Sequence, residues 1–86
     1  MYEIVFSSKA ERQLAKLEKE DQKRIIAVLE RVRIRPIDFL QKLVGSNAYK
    51  IRVGDLRIIV GLDPEKQSIR IVLISNRKNI YDRLEF

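Results

Sequence analysis

In the stretch Tyr49-Lys50-Ile51-Arg52-Val53-Gly54-Asp55-Leu56-Arg57, two arginines flank a short turn signal at Gly54-Asp55. A two-residue turn there sets Val53 against Leu56, and the next pair back is Arg52 against Arg57. Like charges directly opposite each other destabilise a sheet. A planar guanidinium pair, however, grips phosphate oxygens bidentately, and a bound phosphate turns that repulsion into attraction. Lys50 lies two residues along on the same face, and Arg77 and Lys78 follow the end of the last apolar run. The chemistry these residues suit is holding a phosphodiester and stabilising charge on it. The same positions also suit a hydrated surface, with Arg and Lys stems over apolar ground and water screening the heads. The hairpin alone leaves the two readings level.

Much other chemistry is excluded by composition. The chain has no histidine and no cysteine, so disulfides and thiol nucleophiles are ruled out, and Ser7 and Ser8 have no imidazole to activate them. They read as helix caps. Asp55, Asp63 and Asp82 fall in separate turns or ends without ligand spacing, so neither a metal nor another cofactor is expected. Within the basic constellation itself, acid–base work is left to Lys, Arg and Tyr, whose free side chains titrate at ~10 or above. A net charge of +6 over 86 residues, with a pI near 9.9, favours a polyanionic partner. No secretory signal and no run of ~18 apolar residues is seen, so the expectation is a cytoplasmic protein that does not cross a membrane.

The elements that must position these residues follow from apolar patterning. Tyr2 to Phe6 reads as a strand. Ser8 opens Ser-Lys-Ala-Glu, a capping-box pattern, and Ala10, Leu14 and Leu17 make a narrow stripe on a first helix. Asp21 reads as the cap of a second helix with the wider stripe Ile25, Val28, Leu29 and Val32, and Pro36 ends it. Residues 37–48 read as a loop with a short turn of helix. Three strands then follow, Tyr49 to Val53, Leu56 to Leu62 and Ser68 to Ser75, before a short amphipathic C-terminal helix. The expected fold is α+β: one small domain over residues 1–86, a mainly antiparallel sheet of about four strands, and an N-terminal helical hairpin on one face. Tyr49, Ile51, Val53, Leu56, Ile58 and Val60 would face the helices, while Lys50, Arg52, Arg57 and Ile59 would face outward.

Four stretches together resemble the RelE/ParE toxin superfamily on its RelE-like side: Ser-Lys-Ala-Glu-Arg-Gln-Leu in the first helix; Lys42-Leu43-Val44-Gly45; Tyr49 to Arg57; and Asn76-Arg77-Lys78-Asn79-Ile80-Tyr81. The third is the most specific. The resemblance implies the toxin of a toxin–antitoxin pair, an endoribonuclease that enters the ribosomal A site and cuts mRNA without metal. In that reaction the ribose 2′-OH attacks the adjacent phosphodiester, leaving a cyclic phosphate and a free 5′-OH. It implies that Lys50, Arg57, Arg77 and Tyr81 are catalytic and that Arg52 and Lys78 hold phosphate. Many relatives carry histidine where this chain has Asn76, so electrostatics would do most of the chemistry. The implied partner is an acidic, RelB-like antitoxin, binding a chain that is monomeric when free and joins a higher-order complex with it. Two alternatives stand beside this reading: a ParE-like gyrase-inhibiting toxin, and a non-catalytic basic module that binds nucleic acid.

Overall fold

The apolar alternation of the C-terminal half forms the centre of a five-stranded sheet. The computed structural model describes residues 1–76. Strand β1 (Glu3–Phe6) leads into helix α1 (Ser8–Lys16) and helix α2 (Lys19–Val32), then a 3₁₀ turn (Pro36–Asp38). Strands β2 (Gln41–Lys42), β3 (Tyr49–Val53), β4 (Leu56–Asp63) and β5 (Ser68–Asn76) complete the described residues. The sheet order is β1-β5-β4-β3-β2, antiparallel throughout except for the parallel pair β1–β5. The α+β class is as expected, with one more strand than the patterning suggested. The added strand, β2, is only two residues long, too short to show a period of its own. The expected C-terminal helix lies outside the described residues.

Helix boundaries differ from the sequence reading by local capping chemistry. Ser7, not Ser8, caps α1: its Oγ accepts from the Ala10 amide at 3.0 Å. Glu18 occupies the N-cap position of α2, two residues before the first acidic side chains of that helix. Gln22 closes the link between the helices, its Nε2 donating to the carbonyls of Leu14 at 3.0 Å and Leu17 at 3.1 Å. Those carbonyls are among the groups a helix end leaves unpaired.

The helices cover one face of the sheet. Ala10 from α1 and Ile25, Leu29 and Val32 from α2 are buried with Ile51, Val53, Leu56, Ile58 and Val60 from the hairpin, and with Ile69, Ile71 and Ile74 from β5. Spacing of i, i+4 and i+7 places the three α2 residues on one stripe. The apolar hairpin face therefore lies as the alternation predicts.

One irregularity reorients β5. Ile59 pairs with Leu73 but Val60 pairs with Ile71, so Val72 is an extra residue, a β-bulge. Its carbonyl accepts from Ser7 Oγ at 2.9 Å, and the Ile74 amide donates to Gln13 Oε1 at 2.7 Å. Because β1 ends at Phe6 opposite Ile71, α1 takes over the edge of β5 beyond that point with side-chain hydrogen bonds. This is one way an otherwise open strand edge is closed against other chains.

Candidate nucleic-acid interface

The hairpin fixes the arginine pair. Gly54 has φ +59°, while Asp55 is not among the positive-φ residues, the pattern of a II′ turn with glycine in its first central position. The register is then Val53 with Leu56, Arg52 with Arg57, Ile51 with Ile58, and Lys50 with Ile59. Directly opposed residues of this kind hold their Cβ atoms about 4.5–5.5 Å apart. Arg52 is exposed and Lys50 half-buried on the same strand.

Arg57 departs from the expectation that it faces solvent. It is 2% exposed, the one charged side chain in the buried set among the described residues. Its Nη1 donates to the Leu56 carbonyl at 3.1 Å and to the Gly54 carbonyl at 3.4 Å, so the guanidinium folds back along its own turn. Its Nε is buried without a hydrogen-bond acceptor. Leaving such a donor unpaired costs about 1–3 kcal/mol, a penalty that an incoming anion would remove. Among the described residues neither Arg52 nor Arg57 is tied to a carboxylate; the ion pairs present are Arg33–Glu30 and Arg35–Asp38, on α2 and the 3₁₀ turn.

Ile59 also departs from the outward reading. It is fully buried and packs with Leu73 in a second, smaller cluster that includes Leu43, Ala48 and Val72. Leu43 and Ala48 are joined by a 3.0 Å hydrogen bond that closes the 43–48 turn beside this face. The face of the sheet away from the helices is therefore divided: a small apolar floor in the middle, with Arg52 and Arg57 at the turn end. The apolar character of Ile59 was visible in the sequence, but the residues that cover it come from a segment with no clear period.

The structure brings Lys50, Arg52 and Arg57 onto one face of one hairpin. Arg77, Lys78 and Tyr81 lie outside the described residues. Sequence reasoning missed Arg24 of α2, whose Nη1 would stand 3.8 Å from a Cβ placed on Gly54. That proximity adds a third guanidinium at the hairpin tip, and only the packing of α2 on β3 reveals it. Among the described residues no three carboxylates converge into a metal-ligating group, and no helix is long and apolar enough to cross a membrane.

Comparison with solved structures places this geometry on a known scaffold. The RelE–RelB complex from Pyrococcus horikoshii OT3 contains a chain that superposes with a TM-score of 0.78 at 23% identity, covering 88% of this chain and 94% of that one. The fold is that of the RelE toxins. Isolated RelE from E. coli also matches at a TM-score of 0.78, with 21% identity over 95% of this chain and 93% of that chain. A YoeB/ParE toxin from Agrobacterium tumefaciens shares the fold at 0.75 with 10% identity, over 86% and 96% of the two chains. No protein-family model matches the chain, and no curated protein sequence matches it either. A RelE-like fold is thus held here by a sequence only 10–23% identical to those chains.

Proposed function

We propose that this protein is the cytoplasmic toxin of a toxin–antitoxin pair, acting as a metal-independent endoribonuclease on mRNA in the ribosomal A site. The observation that carries the reading is Arg57: a buried guanidinium with a spare donor and, among the described residues, no carboxylate counter-ion, opposite Arg52 in the hairpin register. An RNA phosphate supplies the missing acceptor and offsets the repulsion within the pair.

The proposed reaction is the one the resemblance to RelE-like toxins implies, and that placement is compatible with it. The ribose 2′-oxygen attacks the adjacent phosphorus, the P–O5′ bond breaks, and the products are a 2′,3′-cyclic phosphate and a 5′-hydroxyl; the 2′-OH proton leaves to a base and the 5′-oxygen gains one. Arg57, with Arg77, stabilises the extra negative charge on the pentacoordinate transition state, and Arg52 with Lys78 holds the phosphate. Lys50 serves as proton acceptor or as a further cation, and Tyr81 orients the RNA or donates a proton. With no histidine in the chain, the ribosome contributes positioning. The RelE chain of Pyrococcus horikoshii was solved with RelB, and by analogy the partner here is an acidic antitoxin that folds on binding.

Primer extension on a translated message tests this reading. Induction of the wild type should produce new 5′ ends together with growth arrest, and Arg57→Ala should produce neither. A DNA-supercoiling assay run beside it distinguishes the gyrase-inhibiting reading, which the shared fold of the YoeB/ParE toxin also accommodates. Growth arrest with intact message and blocked supercoiling would overturn the nuclease assignment.

A further inference from the structure

Beyond the arginine pair, the outward face of the sheet continues into an open cavity of about 450 Å³ walled by Val5, Gly61, Asp63, Lys66, Ser68 and Arg70. Register explains why these residues meet. Arg70 of β5 stands between Val5 of β1 and Gly61 of β4, and Ser68 stands opposite Asp63. Counting by twos along β4 from Arg57 passes Ile59 and arrives at Gly61 and then Asp63. The cavity therefore shares the face that carries Arg52 and Arg57.

Gly61 makes the cavity. It lies inside a strand, its φ is not positive, and a Cβ built on it would meet nothing within 4 Å. Neither a turn nor close packing requires glycine at this position, although glycine weakens a strand interior. What the missing side chain leaves is a strip of bare backbone between larger walls, a surface on which a planar ring can lie.

The walls differ in chemistry. Val5 is apolar and 41% exposed. Arg70 is exposed and, among the described residues, pairs with no carboxylate. Asp63 Oδ1 accepts from the Lys66 amide at 3.2 Å, which holds the carboxylate at the rim. A carboxylate accepts from the exocyclic amino group of a base, and a guanidinium donates to ring nitrogens, carbonyls and phosphate. An apolar peptide would find a single exposed aliphatic wall here, and a simple anion would meet Asp63. A nucleobase uses the bare floor, the apolar wall and the mixed rim together.

We propose that this cavity seats a nucleobase bearing an exocyclic amino group, which, resting on the nuclease reading above, belongs to the RNA whose phosphate lies on Arg52 and Arg57. Gly61 and Arg57 are four residues apart on β4, about 14 Å at the strand rise. That is about four steps of a stacked strand at ~3.4 Å each. The 43–48 turn covers Ile59 between the two seats, so the RNA passes beside it. The base read here is thus a few nucleotides from the bond that is cut. Phosphate contacts at the arginine pair position the RNA without reading it, and the cavity adds selectivity.

Fluorescence anisotropy with the full-length protein and labelled RNA hexamers, without ribosomes, tests this. Hexacytidylate and hexauridylate are the probes, because cytosine presents an amino donor where uracil presents a carbonyl. The wild type should bind hexacytidylate at least about fivefold more tightly, the low end of the discrimination one base contact gives. Gly61→Val fills the cavity with a side chain that strands favour. It should bring hexacytidylate down to the affinity of hexauridylate, with a thermal midpoint no lower than the wild type's. Arg70→Ala, which leaves the floor intact, should narrow the ratio as well. Arg52→Ala, at the phosphate seat, should weaken both hexamers by the same factor and keep their ratio. Equal binding of the two hexamers by the wild type, no binding of either, or a ratio that survives Gly61→Val would overturn the proposal. The readout involves no cleavage: absence of new 5′ ends with the ratio intact removes the nuclease reading and leaves the base site, whereas new 5′ ends without the ratio remove the base site alone.

Discussion

Arg57 is costly for the free fold, and in the proposed function an arriving anion offsets that cost. Its guanidinium is buried with Nε unpaired, and buried charges of this kind are often replaced by apolar residues at no loss of stability. Arg57→Met should therefore leave the urea unfolding free energy unchanged or raise it by about 1 kcal/mol, while single-turnover cleavage on saturated ribosomes falls about 10²–10³-fold, the usual effect of removing one transition-state donor. A large fall in stability would mean that the side chain is structural. Arg52 has a different role, since it is exposed. Arg52→Ala should weaken RNA binding and reduce the log–log salt slope by about 0.7 per lost phosphate contact, with a smaller effect on turnover once the ribosome is saturated. The pairing of these residues was legible in the sequence because a two-residue turn dictates register. The burial of Arg57 was not, because alternation reports which face a residue points to and says nothing of what folds back over it.

The hairpin and the bulged strand set the precision of that pair. Gly54 at φ +59° is the residue the turn depends on. A Cβ there meets nothing closer than Arg24 Nη1 at 3.8 Å, so Gly54→Ala should cost only the backbone penalty of about 1–2 kcal/mol, seen as a lower denaturation midpoint with an unchanged m-value. Ser7 does two jobs, capping α1 and holding the bulge carbonyl of Val72. Ser7→Ala should destabilise by about 1–2 kcal/mol, and hydrogen exchange should quicken in β5 as well as at the helix start. Strands β3 and β4 were readable almost to the residue because their inward faces alternate cleanly. The bulge was not, since Ile71-Val72-Leu73-Ile74 is apolar at every position and a skipped residue leaves no trace in such a run. Strand β2 was hidden because two residues show no period, and the parallel pairing of β1 with β5 was hidden because it joins segments far apart in sequence.

For the molecule as a whole, the reading makes a charge-driven prediction. Contact with about four phosphates should give a log–log salt slope for single-stranded RNA near −2.8; a slope near zero would contradict phosphate contact. Because the chain has no histidine, the cleavage rate should stay flat as pH passes through ~6.5, and a drop there would point to a titrating ribosomal group. The fold class and the helix-covered face were legible because they follow from the order and period of the elements. The small apolar floor under Ile59 was not, because its cover comes from the 43–48 turn. One feature of the sheet also bears on the order in which it assembles. Its first strand, Glu3–Phe6, aligns with Ser68–Ile71, and Arg57 stands opposite Ser75. Glu3 and its partner Ser68 are 65 positions apart in sequence (68 minus 3), and pairings of such long separation form late. The β3–β4 hairpin, whose pairs are local, should therefore be protected from pulsed hydrogen exchange during refolding before β1 closes the sheet, and equal protection times would contradict that order.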